Sequence, residues 1–147
     1  MTIHISKELK RYNHLINEID AEYHAMSLKF GMSDSAMIIL YTICEKGDSC
    51  LLQDICQTAG ISKQTINSAL RKLEADGILY LEPAGTKNKR VCLTVKGKQL
   101  AEHTALKMIE TENDIFSSWS EEDVEKYLTL TERYLLAFRE RSRKMET

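Results

Sequence analysis

Leu52-Gln53-Asp54-Ile55-Cys56-Gln57-Thr58-Ala59-Gly60-Ile61-Ser62-Lys63-Gln64-Thr65-Ile66-Asn67-Ser68-Ala69-Leu70-Arg71-Lys72-Leu73-Glu74-Ala75-Asp76-Gly77 is the stretch from which the rest of the chain can be placed. Its first half repeats apolar residues at Leu52, Ile55, Cys56 and Ala59, the spacing of an amphipathic helix, and Gly60 ends it. Ser62 is a strong N-cap for a second helix, with its hydroxyl in reach of backbone N–H groups near Thr65. Ile66, Ala69, Leu70 and Leu73 form the buried stripe of that helix, while Gln64, Asn67, Ser68 and Arg71 form a polar stripe of the same period on another face. Gly77 supplies the left-handed residue that closes a helix. Ile78-Leu79-Tyr80-Leu81 then reads as a strand broken by Pro83 and Gly85, and Arg90-Val91-Cys92-Leu93-Thr94 as the returning strand. Helix, tight turn, helix and hairpin in this order make a winged helix-turn-helix. The fold class is mainly α with a small β-hairpin wing.

Upstream, Ser33 can cap a helix whose apolar residues Met37, Leu40, Tyr41 and Cys44 share a face, and Gly47 closes it. Asp48-Ser49-Cys50 is a connector with room for a bridge of strand. Further out, Ile5, Leu9, Tyr12, Ile16, Ile19, Tyr23, Met26 and Phe30 alternate in steps of four and three, a heptad stripe on one long helix. A partner surface accounts for it, and so would packing on the C-terminal helices. Downstream, one long helix is expected from Thr94 to about Ser117, with Leu100, Leu106, Met108, Ile109 and Phe116 as its apolar content. Ser120-Glu121-Glu122-Asp123 is a capping box that starts a last helix, with Trp119 placed to staple onto Val124. Val124, Tyr127, Leu128, Tyr134, Leu135 and Phe138 give that helix its apolar face, and its end from Arg139 is basic, as suits the helix dipole. The chain thus divides into terminal helices, 1–32 and 99–147, and a central unit, 33–98. The terminal helices would pair two copies, with Ile5, Leu9, Tyr12, Ile16, Leu128 and Leu135 at the dimer interface.

The 147 residues suffice for one compact domain with helical extensions, and 43% apolar with 29% charged residues is a globular composition. The start of the chain has no apolar core of a secretory signal, and the longest apolar-rich run, Ala36 to Cys44, is too short to span a bilayer. A cytoplasmic protein with no membrane partner is expected. Net charge is −2, but the window from Ile61 to Lys98 holds eight cations (Lys63, Arg71, Lys72, Lys87, Lys89, Arg90, Lys96, Lys98) against three anions, so that window is +5 and the remainder −7. A basic patch on an acidic body suits a phosphate-bearing partner, although a solvated surface gives the same count. Cys44, Cys50, Cys56 and Cys92 contain no C-x-x-C spacing, and His4, His14, His24 and His103 are scattered, so neither a metal nor a cofactor is expected.

The polar stripe carries the chemistry. Asn and Gln can bond adenine edges bidentately and Arg can do so with guanine, and a helix fits the major groove. Ser62, Lys63 and Thr65, at the helix start, are placed for phosphates. The loop Ala84-Gly85-Thr86-Lys87-Asn88-Lys89-Arg90 is cationic enough to follow a phosphate backbone or to place an arginine in the minor groove, and its lysines also protect a strand edge.

Three segments make the reading more specific: Gly60-Ile61-Ser62-Lys63-Gln64-Thr65-Ile66-Asn67-Ser68, then Leu73-Glu74-Ala75-Asp76-Gly77-Ile78, then Leu93-Thr94-Val95-Lys96-Gly97. With them, residues 52–97 resemble the winged-helix core of the multiple antibiotic resistance regulator (MarR) family, and flanking helices of suitable length extend the likeness. The resemblance implies a homodimeric transcription regulator, more often a repressor, on a pseudo-palindromic site of double-stranded DNA. It implies recognition-helix contacts from Ser62, Gln64, Thr65, Asn67, Ser68 and Arg71, and wing contacts from Lys87, Asn88, Lys89 and Arg90. Family wings carry an Asp-x-Arg signature. Here the triplet is Asn88-Lys89-Arg90, so the arginine loses a charged partner. Ser68 and Leu81 also stand where a basic residue is common. The resemblance further implies a small phenolic or lipophilic effector, with Tyr12, Tyr41 and Met108 as lining residues; ordinary core packing accounts for the same three. Thiol-sensing relatives use a cysteine near the start of the first helix, which this chain lacks, leaving Cys50 as the best remaining thiol. A winged helix serving protein–protein assembly is the alternative, while the absence of a nucleophile–base pair, phosphate loop or metal spacing argues against an enzyme.

Overall fold

The structure is a computed structural model that describes residues 1–58 and 60–145. Its elements are α1 (Lys7–Lys29), α2 (Asp34–Lys46), β1 (Ser49–Leu51), α3 (Leu52–Thr58), α4 (Lys63–Ala75), β2 (Leu79–Ala84), β3 (Asn88–Leu93), α5 (Val95–His103), α6 (Ala105–Ser117) and α7 (Glu121–Arg143). The three strands form one antiparallel sheet in the order β1-β3-β2. Two compact units divide the chain, Met1–Ile109 and Glu110–Thr147. No helix among the described residues is long and apolar enough to cross a membrane.

Hydroxyl caps set the helix starts. Ser6 Oγ accepts from Leu9 N at 3.0 Å, Ser33 Oγ from Ala36 N at 3.2 Å, and Ser120 Oγ from Asp123 N at 3.1 Å, each satisfying a donor that the helix itself leaves unpaired. In the first unit the core is a single cluster. Ile39, Leu40 and Ile43 of α2, Ile55 of α3, Ile66 of α4, Leu79 of β2 and Val91 of β3 are fully enclosed. The buried side of α2 is wider than the stripe read from its sequence. Met37 and Leu40 are buried and Tyr41 and Cys44 half-buried, but Ile39, Thr42 and Ile43 are also buried, because the sheet, α3, α4 and α5 all pack around this helix. Ala59, the last residue of the stripe read for α3, lies outside the described residues.

Two expectations are corrected. The single helix expected from Thr94 to Ser117 is two, broken at Thr104 (φ −131°, ψ −87°). The buried Thr104 Oγ1 donates to the Leu100 carbonyl at 2.7 Å, the acceptor its own N–H would use in a continuous helix, and that N–H turns to Ala101 O at 3.2 Å. Pro83 does not end its strand but pairs in register with Lys89 inside β2. β2 is an edge strand, where a residue without an N–H is tolerated.

The heptad stripe is exposed over its first six positions, whereas Met26 and Phe30 at its end pack half-buried against the core. Ile5, which precedes the helix, and Leu9, Tyr12, Ile16, Ile19 and Tyr23 are 38–45% exposed, and Ser27 is the one buried residue of α1 among those described. In the second unit α7 buries none of its described residues, and Tyr127, Leu128, Leu130, Tyr134, Leu135, Leu136 and Phe138 are exposed. Trp119 contacts Phe116 and Tyr127 edge-on, with ring centroids 5.6 and 5.5 Å away.

Candidate nucleic-acid interface

α4 presents the chemistry read from its sequence. Ser62 caps it, its Oγ accepting from Thr65 N at 3.2 Å and lying 2.8 Å from Thr65 Oγ1. That geometry orients the first turn, whose remaining N–H groups and dipole favour an anion. Ile66, Leu70 and Leu73 are buried in the core, so the opposite face must look outward. Lys63, Gln64, Thr65, Ser68 and Arg71 are exposed there and Asn67 is half-buried. The side chains able to read base edges thus stand on one face of a helix anchored from behind.

The wing differs from its sequence reading in one respect. The hairpin turn is only Gly85-Thr86-Lys87, because Ala84 still pairs with Asn88. Of the three cations expected in the loop, Lys87 alone occupies the turn. Lys89 and Arg90 belong to β3 and, by strand alternation, point to opposite faces. Lys87, Asn88 and Lys89 border an open cleft of about 410 Å³ on the ribbon and are exposed, whereas Arg90 is half-buried, its Nη1 donating to Ser49 Oγ at 3.2 Å.

Besides Arg90, two further cations counted in the basic window are engaged within the fold. Lys96 Nζ donates to the Asp76 carbonyl at 2.8 Å, at the C-terminal end of α4, and Lys98 Nζ lies 3.0 Å from Asp48 Oδ2. Thr94 holds the same junction: its Oγ1 donates to the Gly77 carbonyl at 2.6 Å and accepts from Gly97 N at 2.9 Å. Leu93-Thr94-Val95-Lys96-Gly97 therefore locks α5 to the end of α4, a supporting role that its position after the wing already hints at. Ser49 was missed by sequence reasoning, since nothing in a short connector marks a contact with a residue 41 positions away.

The remaining expected residues sit as follows. Met108 is buried in the core, Tyr41 packs against it half-buried, and Tyr12 is exposed on α1. Cys50 is 2% exposed, and burial, with the Asp54 carboxylate adding to it, pushes its thiol up to about 11. This overturns its choice as the most available thiol. Burial likewise raises Cys44 and Cys92, the latter further raised by Glu82, so none of these three is an activated thiolate. Among the described residues no group of three or more His, Cys, Asp or Glu side chains is placed to hold a metal.

Such a capped helix, backed by a three-stranded sheet with a cationic ribbon, defines a winged helix-turn-helix protein. Residues 30–89 match the profile of the MarR family. A MarR family regulator from Neisseria meningitidis superposes with a TM-score of 0.76 at 18% identity, covering 93% of this chain and 96% of that one. The S. aureus MepR–DNA complex gives 0.67 at 20% identity (92% and 99% covered), and NadR in complex with 4-hydroxyphenylacetate gives 0.67 at 19% (99% of each). No curated protein matches the sequence significantly.

Proposed function

We propose that this protein is a cytoplasmic homodimeric transcription regulator that binds a pseudo-palindromic DNA site and represses by occluding it. The observation that carries the reading is the face of α4, where Gln64, Ser68 and Arg71 stand exposed with the half-buried Asn67 beside a helix start capped by Ser62. Ser62, Lys63 and Thr65 would take phosphates, and Gln64, Asn67, Ser68 and Arg71 would take base edges. Lys87, Asn88, Lys89 and Arg90 would meet the adjoining backbone or minor groove. MepR, a protein of the same fold, has been solved with DNA.

Residues 33–98 act as the reading unit, and the regions 1–32 and 99–147 pair the two copies. The exposed stripe Ile5, Leu9, Tyr12, Ile16 and the exposed Leu128 and Leu135 support that pairing, since apolar rows of this length are normally covered. Two-fold pairing sets two α4 helices roughly one DNA turn apart. A small phenolic or lipophilic effector, in contact with Tyr12, Tyr41 and Met108, would release DNA by favouring a dimer with another helix separation. NadR, solved with a phenolic acid, supports that ligand class.

Selection of duplexes from a random pool tests the reading. Enrichment of an inverted repeat with half-sites roughly ten base pairs apart is expected. Failure to enrich any sequence at low salt would refute it.

A further inference from the structure

The wing arginine is tied to β1 by a side-chain hydrogen bond. In the β1–β3 ladder Leu51 faces Arg90 and Ser49 faces Cys92, so Ser49 and Arg90 are diagonal neighbours on one face of the sheet. Across this diagonal Arg90 Nη1 donates to Ser49 Oγ at 3.2 Å. Asn88, two residues earlier on the same strand, is neutral and exposed.

We propose that Ser49 is a positioning residue for DNA binding, its hydroxyl holding the Arg90 guanidinium in place before DNA arrives. The proposal rests on the DNA-binding reading above. An unrestrained arginine is rotamer-rich, and ordering it on binding costs affinity. A hydroxyl anchor limits that cost and adds no negative charge of its own beside Glu82, which faces Arg90 across the β2–β3 ladder. It also leaves the other guanidinium N–H groups free to donate. Because β1 runs directly into α3 at Leu52, the anchor sets the arginine relative to the helix-turn-helix, so wing and reading helix present themselves to DNA at a fixed spacing.

The test compares full-length wild type, Ser49→Ala, Ser49→Thr, Arg90→Ala and the Ser49→Ala/Arg90→Ala double variant on the selected duplex across a salt series. Ser49→Ala is expected to weaken binding by about three- to tenfold, the worth of one hydrogen bond. The slope of log K on log salt should not change, because the cation is still present. Arg90→Ala should flatten that slope by about one unit. The double variant should match Arg90→Ala, and Ser49→Thr should restore wild-type binding. A Ser49→Ala loss that persists in full without Arg90 would mean β1 acts structurally and would overturn the proposal, as would no loss at all. If wild type binds no duplex, the DNA reading fails by itself. The anchor is then read in the DNA-free protein by the guanidinium NMR signals of Arg90. Hindered rotation in wild type that is lost in Ser49→Ala supports it, and identical signals in the two proteins overturn it.

Discussion

A Cβ placed on Gly97 would collide with the carbonyl oxygen of Ile78, so the first turn of α5 rests directly on the backbone where the wing begins. That oxygen cannot move aside easily, since it accepts the Thr94 N–H at 3.1 Å and lies 3.1 Å from the Thr94 hydroxyl, whose one proton it shares with the Gly77 carbonyl. Gly97→Ala should therefore lower unfolding stability by about 2 kcal/mol or more, as expected for forced overpacking against backbone. The midpoint of urea denaturation reads this, and an unchanged midpoint would contradict the packing described.

Substitutions at Ser62 test its capping role and its proposed DNA contact separately. Ser62→Ala removes the cap of α4 and should cost about 1 kcal/mol of stability. Ser62→Asp keeps a capping oxygen and a favourable dipole interaction, so it should fold as well as wild type, yet its charge should repel phosphate and weaken DNA binding. A Ser62→Asp protein that binds DNA as wild type does would remove the α4 N-terminus from the interface.

Cys50 should make the fold alkali-sensitive. Burial first, then Asp54, raises its thiol in the folded chain to about 11 from an ordinary 9.0. The folded state thus holds this proton more tightly than the unfolded state. The stability it contributes is fully present below about pH 9 and is lost as pH rises through the folded value, by up to about 1.4 kcal/mol per pH unit. Urea unfolding of wild type and Cys50→Ala between pH 8 and 11 isolates this effect. Wild type should lose stability more steeply, and parallel profiles would show that the thiol is not held protonated.

Ile16 lies in the middle of the exposed stripe of α1, at 38% exposure. Ile16→Asp should leave helix content by circular dichroism unchanged while converting a dimer to a monomer by light scattering. A folded variant still dimeric at wild-type concentrations would place the dimer interface elsewhere.

How far the sequence carried these conclusions depended on whether the deciding interaction was local. The cap at Ser62, the turn at Gly60 and the closing Gly77, with φ of 59° and 73° at the two glycines, depend on residues within a few positions and were legible. The core face of α4 was legible for the same reason, through its period. The break at Thr104 was not, because Thr42 and Thr131 make the same hydroxyl bond to the carbonyl four residues back inside unbroken helices, so no local signal sets Thr104 apart. Likewise, the length of β2 past Pro83 depends on β2 being an edge, a property of sheet order. Arg90 was recognised as a candidate contact, but its partner Ser49 lies on a strand paired only in the folded sheet.

Fluorescence anisotropy tests the central claim most directly. A labelled duplex from the region upstream of the protein's own gene is titrated against a scrambled duplex, with wild type and Arg71→Ala, across a salt series. The account predicts one dimer per site and preferential binding that weakens linearly in log salt, with Arg71→Ala losing the preference between duplexes. Equal binding of both duplexes by both proteins, without a salt slope, would contradict it.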